Sequence, residues 1–255
     1  MYNTTFLGLA LLLITCSIAA GADNDQHYGS GSRIASQVVV QDRAGNPHGL
    51  TQLLARSSHN LNVIFIFGGG GLGHENTTET GGLWCPDSYA DSKILRALVE
   101  KYQNRVGFIS VAVPPVYHSQ RLGYPERVFL DTTEHAVQYQ KAKQAFIDST
   151  EAAVANGTLP LAPYYDLDFN FLITQPQSEL RRASYPQQAW HGAFRAADET
   201  QHYGVPNFWL VDNSGFIVVQ PFRGNVYHGD SSNLKLEYAL EDVTTAIETL
   251  LKARG

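Results

Sequence analysis

Trp84-Cys85-Pro86-Asp87-Ser88 places a thiol directly before a proline, with a hydroxyl three positions on. Proline suits the first turn of a helix, where its missing N–H costs nothing, so Cys85 falls at or beside the N-cap. Unpaired backbone N–H groups and the helix dipole at that end favour a thiolate and lower a cysteine pKa. Asp87 opposes this with a nearby negative charge. Ser88, one turn along, is placed to donate a hydrogen bond to the sulfur. The expectation is a partly exposed, nucleophilic thiol, more acidic than the free value of about 8.5. The structural alternative is a buried, inert cysteine that packs as a small apolar side chain.

A second pattern precedes the thiol. Gly68, Gly70 and Gly73 fit G-x-G-x-x-G and follow the apolar run Val63-Ile64-Phe65-Ile66-Phe67, which reads as a buried strand. A dinucleotide fingerprint needs a helix to open at the glycines, because the pyrophosphate sits on that helix's N-terminus. Here the glycines lead into His74-Glu75-Asn76-Thr77-Thr78-Glu79-Thr80-Gly81-Gly82, which has no apolar period. Glu75 and Glu79 would repel phosphate, and no G-K-[ST] follows. The run therefore reads as a mobile Gly-rich loop with no nucleotide cofactor. The helix that should follow the strand begins at Pro86, and Cys85 stands at its mouth.

The elements that must position Cys85 can be read along the chain. Gln37–Gln41 is a short strand, Arg43–Pro47 a turn and Leu50–Arg56 a short helix or turn. Asn62–Phe67 is the first central strand. Pro86–Tyr102 is a helix with Ile94, Leu95, Leu98, Val99 and Tyr102 on one face. Val106–Val113 is a second buried strand. Asp131-Thr132-Thr133-Glu134 resembles a capping box and opens a helix that stops near Asn156-Gly157. Leu159–Thr174 is undecided, with FNFLIT a candidate strand, and Gln177–Thr200 reads as helix broken at Pro186. Asn207–Val211 and Phe216–Gln220 flank Asp212-Asn213-Ser214-Gly215 as a hairpin. Leu236, Leu240, Val243, Ile247 and Leu250 mark a last amphipathic helix. The order βαβ, helices, ββ, α implies an α/β domain with a central mixed sheet flanked by helices.

Composition narrows the function classes. The 255 residues are 44% hydrophobic and 16% charged, so the chain can bury a core. A net charge of −6 argues against a nucleic-acid partner, which calls for a basic face. Phe6–Ala20 is an uncharged apolar run, too short to span a bilayer comfortably, followed by Ala20-Gly21-Ala22 and polar residues. It reads as a secretory signal, residues 1–22, although its start lacks Lys and Arg. Residues 23–33 read as a flexible lead-in and 34–255 as the folded domain. The alternative is a lipid anchor at Cys16, where Leu13-Ile14-Thr15-Cys16 makes a poor lipobox. The chain has two cysteines, Cys16 and Cys85, so the mature protein would keep one thiol and no internal disulfide framework.

Three segments together resemble a known family. Trp84-Cys85-Pro86-Asp87-Ser88 is similar to the W-C-x-x-C motif of the thioredoxin superfamily, with Ser in place of the second Cys. Val205-Pro206-Asn207-Phe208-Trp209-Leu210-Val211-Asp212-Asn213-Ser214-Gly215-Phe216-Ile217 resembles the segment of secreted redoxins (TlpA/ResA-like) in which a cis-proline faces the cysteine and leads into a hairpin. Val38–Leu50 resembles the redoxin N-terminal hairpin. The resemblance implies a thioredoxin-like fold with a helical insertion at about 120–200, before the cis-Pro hairpin. It also implies a secreted or periplasmic thiol-disulfide oxidoreductase, without a cofactor, acting on a protein or small-molecule disulfide or thiol. Cys85, Ser88 and Pro206 would be catalytic, and Trp84, Pro86, Asp87 and Val205 would meet the substrate.

Three departures bear on that reading. Ser88 removes the resolving thiol, so the motif offers no internal disulfide cycle. Cys85 and Pro206 are 206 − 85 = 121 residues apart, more than the family needs. The peroxiredoxin spacing fails, because Gly82 stands three before Cys85. A metal site built from His74, Glu75, Cys85, His118 and His228 is not expected, since copper chaperones of this fold use two cysteines. The alternative function is a redox-inactive, thioredoxin-like binding module that uses the insertion to hold a partner; Ser88 favours it. Asn76-Thr77-Thr78 and Asn156-Gly157-Thr158 are glycosylation sequons, meaningful only in a eukaryotic secretory pathway.

Overall fold

The computed structural model describes residues 30–70, 80–114, 133–167, 205–223 and 238–254. The leader, His74, Glu75, the sequon at Asn76, His118, His228, the FNFLIT strand and the helix broken at Pro186 lie outside those residues.

The described elements are β1 (Val39–Gln41), β2 (Pro47–Gly49), α1 (Leu50–Arg56), β3 (Leu61–Gly68), α2 (Pro86–Tyr102), β4 (Gly107–Val113), α3 (Thr133–Ala155), β5 (Tyr164–Tyr165), β6 (Asn207–Asp212), β7 (Phe222–Arg223) and α4 (Leu240–Arg254). They form one mixed sheet in the order β2-β1-β5-β4-β3-β6-β7. β3 lies between β4 and β6, parallel to β4 from Asn62↔Gly107 to Gly68↔Val113 and antiparallel to β6 from Leu61↔Asp212 to Ile66↔Asn207. A parallel β3-α2-β4 unit, then two antiparallel strands on the other side of β3 and a closing helix, is a thioredoxin-like α/β architecture. No helix of the described residues is long and apolar enough to cross a membrane.

The strand sequence explains the placement. LNVIFIFG is apolar without alternation, which fits a strand covered on both faces. Leu61, Val63, Phe65 and Phe67 join one buried cluster with Leu95 and Leu98 of α2, Phe146 and Ile147 of α3, and Val243 and Ile247 of α4. Ile64 and Ile66 point the other way, into a second cluster with Leu50 and Leu54 of α1, Val40, Trp209 and Val211. Phe65 stacks on Phe208 at 4.6 Å and on Phe67 at 5.3 Å. Burial of each such side chain contributes about 1.5–3 kcal/mol relative to exposure.

Two elements refine the sequence reading, which left Leu159–Thr174 undecided and read Phe216–Gln220 as the second strand of a hairpin. β5 enters the sheet between β1 and β4, so the segment after α3 belongs to the sheet. Phe216–Gln220 does not form a regular strand. The Asp212–Gly215 turn is present, with Gly215 at φ +86 and Asp212 Oδ1 accepting the Ser214 and Phe216 N–H groups. Beyond it, Phe216 bridges to Arg33, and the Ile217 N–H donates to the Ser32 carbonyl at 2.8 Å. The returning chain still pairs with β6, since Val211 bridges to Ile217, the Asp212 N–H donates to the Phe216 carbonyl and the Val218 N–H to the Leu210 carbonyl, both at 2.9 Å; the N-terminal segment binds the outer edge of this irregular hairpin, and regular pairing with β6 resumes as β7 at Phe222–Arg223.

Candidate thiol site

Cys85 is the N-cap of α2, in extended conformation, with Pro86 in the first helical turn. β3 delivers the chain to Gly68 and Gly69, and the Trp84 N–H donates back to the Gly69 carbonyl at 2.8 Å. Gly70 bridges to Leu83, so the two ends of the Gly-rich connection are tied to each other beside the sheet. The Gly69 N–H donates to the Val113 carbonyl at 3.0 Å, which fixes that tie to the end of β4.

The glycines here provide close approach. A Cβ on Gly68 would lie 2.5 Å from Cys85 Cβ and 2.7 Å from the Trp84 ring. A Cβ on Gly69 would strike the Phe146 ring at 2.6 Å, and one on Gly70 would meet the α3 backbone N of Thr150 at 2.4 Å. The Gly70 N–H donates to Thr150 Oγ1 at 2.7 Å. These residues resemble a nucleotide fingerprint because two neighbours, α3 and the Trp84-Cys85 segment, both pack against bare backbone.

The residues selected from the sequence gather round the sulfur. Trp84 is half-buried, and its indole Nε1–H donates to the Val113 carbonyl at 2.9 Å. Ser88 is fully buried, and its hydroxyl oxygen accepts the Gly68 N–H at 2.9 Å. The Val205–Pro206 bond is cis, and the Val205 carbonyl accepts the Cys85 thiol at 3.5 Å. Residues 120 positions apart are thus brought together, because β6 lies antiparallel beside β3 and enters at the end of the sheet where α2 begins. Asp87 acts on the thiol through its charge and its backbone N–H.

The thiol departs from expectation. Cys85 is 6% exposed, and burial pushes its pKa up. Hydrogen bonds from the Ser88 hydroxyl and backbone N–H pull it down, Asp87's charge pushes it up, and the Asp87 N–H pulls it down. The helix-end donors are therefore present, but desolvation outweighs them. The expected partly exposed, acidified thiol is a buried thiol of raised pKa.

A second buried ionisable group was not selected from the sequence. Asp91, on α2, is 0% exposed; Tyr238 OH donates to its Oδ2, and its Oδ1 has no partner among the described residues. Burial raises its pKa to about 6, the Tyr238 hydrogen bond lowers it, and Asp87 adds to the rise. The Tyr238 phenol is in turn held well above its usual range, by burial and then by Asp91. The signal was available: Asp91, Leu95, Leu98 and Tyr102 are spaced i, i+4, i+7, i+11, so Asp91 extends the apolar face of α2 toward Cys85. Among the described residues no group of three His, Cys, Asp or Glu side chains could hold a metal ion.

No protein-family model and no curated protein matches the chain. Thirteen solved chains do match in structure. One is the C-terminal domain of a protein provisionally assigned as a thiol-disulfide oxidoreductase from Bacteroides thetaiotaomicron, at TM-score 0.40 and 10% identity, covering 90% of this chain and 99% of that one. Another is a thiol:disulfide interchange protein of the thioredoxin family from Chlorobium tepidum, at TM-score 0.32 and 14% identity, covering 88% and 97%. A thioredoxin from Wuchereria bancrofti aligns at TM-score 0.28 and 10% identity, covering 86% and 99%.

Proposed function

We propose that this chain is an exported thiol-disulfide oxidoreductase that acts through a single cysteine, Cys85. The observation that carries the reading is the meeting of three groups: the Cys85 sulfur at the N-cap of α2, the Ser88 donors beneath it, and the Val205 carbonyl 3.5 Å away. In the resting protein the thiol proton is held toward the Val205 carbonyl. Loss of that proton leaves a thiolate stabilised by the Ser88 hydroxyl and by the Ser88 and Asp87 N–H groups.

The thiolate attacks one sulfur of a substrate disulfide. A Cys85–substrate disulfide forms, the substrate S–S bond breaks, and the second substrate sulfur leaves as thiolate. An external thiolate then attacks the substrate sulfur of the mixed disulfide, forms a new disulfide with it and returns Cys85 to thiolate. Ser88 cannot resolve the intermediate, so an external thiol completes the exchange. In this reading Pro206 and Val205 border the substrate on one side, and Trp84 with Pro86 and Asp87 on the other. Residues 1–22 are removed on export to a secreted or periplasmic location; a lipid anchor at Cys16 is the alternative.

A second reading is favoured by a specific observation. Cys85 is buried, and Ser88, where the family motif has a thiol, is engaged with the Gly68 N–H. A domain with those features can serve as a binding module without redox turnover. The alkylation rate of Cys85 against pH, with Cys85→Ser as blank, separates the two. The oxidoreductase reading expects complete alkylation of the folded protein, with an inflection above the ordinary 8.5 or so. A folded protein that resists alkylation throughout, while its unfolded form reacts, leaves the binding module.

A further inference from the structure

The turn that closes α3 carries a motif the thiol chemistry does not use. Asn156-Gly157-Thr158 fits N-x-[ST] with a residue other than proline in the middle, the pattern of an acceptor for N-linked oligosaccharide on the surface of a secreted protein. α3 ends at Ala155, and Ala155, Asn156 and Gly157 are all exposed. The backbone of the turn is held from within. The Asn156 N–H donates to the Ala152 carbonyl at 2.9 Å, and the Gly157 and Leu159 N–H groups donate to Val154 and Ala153, both at 3.0 Å. Gly157 stands at φ +81, with nothing within 4 Å of the position a Cβ would take. Leu159, 2% exposed, anchors the chain beyond the turn, and Arg96 of α2 donates to the Gly157 and Thr158 carbonyls. Asn156 therefore stands at the surface of a clamped turn, with open space beside it.

The side chains of the motif are engaged in a way that leaves room for the sugar. Asn156 Oδ1 accepts the Thr158 N–H at 2.9 Å, and Asn156 Nδ2 and Thr158 Oγ1 both donate to the Gly81 carbonyl, at 3.2 and 3.0 Å. A carboxamide nitrogen has two N–H donors, of which the Gly81 bond takes one. An N-glycosidic bond replaces a single hydrogen, so the modified nitrogen keeps a donor for Gly81 and the amide oxygen keeps Thr158. Gly81, at φ +60, must lack a side chain for this contact, since a Cβ there would lie 2.4 Å from Thr158 Oγ1. From this geometry we infer that Asn156 is a site of N-linked glycosylation, with the sugar carried outward on the turn after α3. The step joins Asn156 Nδ2 to the anomeric carbon of an oligosaccharide delivered on a polyisoprenyl pyrophosphate. The sugar–phosphate C–O bond breaks, the nitrogen gives up one proton, and the polyisoprenyl pyrophosphate leaves. Modification of Asn156 rests on the export proposed above, through a secretory pathway that attaches such sugars, and needs no chemistry at Cys85.

The test expresses the full chain with its own leader in cultured insect cells and collects the protein from the medium. It is digested with peptide-N-glycosidase in heavy-oxygen water, and the peptide containing Asn156 is weighed. The heavy oxygen separates enzymatic release of a sugar from spontaneous deamidation at Asn156-Gly157. The expected result is a chain that loses mass on digestion and an aspartate at position 156 that carries the heavy label. Thr158→Ser should keep the label, whereas Thr158→Val and Asn156→Gln should lose it. Secreted protein without residues 1–22 and with Asn156 unmodified overturns the glycosylation site and leaves export standing. Protein retained in the cells with residues 1–22 attached overturns both.

Discussion

Replacing Asp91 with asparagine should stabilise the protein at neutral and alkaline pH. Asp91 is fully buried on α2, one of its oxygens has no partner among the described residues, and its pKa rises from the ordinary 3.8 to about 6. A buried acid with a raised pKa favours the protonated folded state. Relative to a neutral side chain it costs nothing below pH 3.8, costs progressively more as pH rises toward 6, and reaches its full cost above that. The gap between the two values corresponds to about 3 kcal/mol. The asparagine side chain is isosteric and keeps an oxygen that can accept the Tyr238 hydroxyl, so most of that cost should return as stability. Urea unfolding of wild type and Asp91→Asn at about pH 4 and pH 8 should show near-equal stability at the lower pH. At the higher pH the variant should gain about 1–3 kcal/mol. A variant that is less stable at pH 8, or a difference that does not change with pH, would mean that Asp91 is ionised and satisfied in the folded protein, and would refute the reasoning.

The remaining substitutions probe the thiol itself. Ser88→Ala removes the acceptor of the Gly68 N–H and a donor to the Cys85 thiolate. It should cost about 1–3 kcal/mol in urea unfolding and move the alkylation profile of Cys85 to higher pH; an unmoved profile would separate Ser88 from the thiol. Gly68→Ala would place a Cβ 2.5 Å from Cys85 Cβ and 2.7 Å from the Trp84 ring. It should lower stability by about 1–3 kcal/mol and alter tryptophan fluorescence, whereas an unchanged spectrum and unfolding curve would contradict the packing described.

The chain states some of these features locally and others only through its partners. The bounds of α2 are readable because Pro86 opens the helix and Leu95, Leu98 and Tyr102 repeat at helical spacing. β3 is readable because its apolar run has no polar face. β5 is not, since two tyrosines carry no period and become a strand only by pairing with Gln41 and Ala112. The sequence-level view of Cys85 counted the helix-end donors correctly but could not count desolvation. That term comes from Val205, Trp84 and the bare Gly68 backbone closing round the sulfur, contacts set by the sheet. Asp91 was legible on the apolar face of α2, and the signal lay in its position rather than its type. The glycine run misleads for a related reason: a backbone that must approach a phosphate and one that must approach a helix call for the same residue.

The most direct measurement is capture of a mixed disulfide. Folded protein is incubated with oxidised glutathione at about pH 8, quenched in acid and weighed by mass spectrometry, with Cys85→Ser as the blank so that Cys16 does not contribute. The account predicts one glutathione adduct on Cys85, absent from the Cys85→Ser protein and released by added thiol. No adduct on the folded protein at pH 9, with ready formation once it is unfolded in urea, would contradict a reactive Cys85 and leave a thioredoxin-like domain whose cysteine only packs.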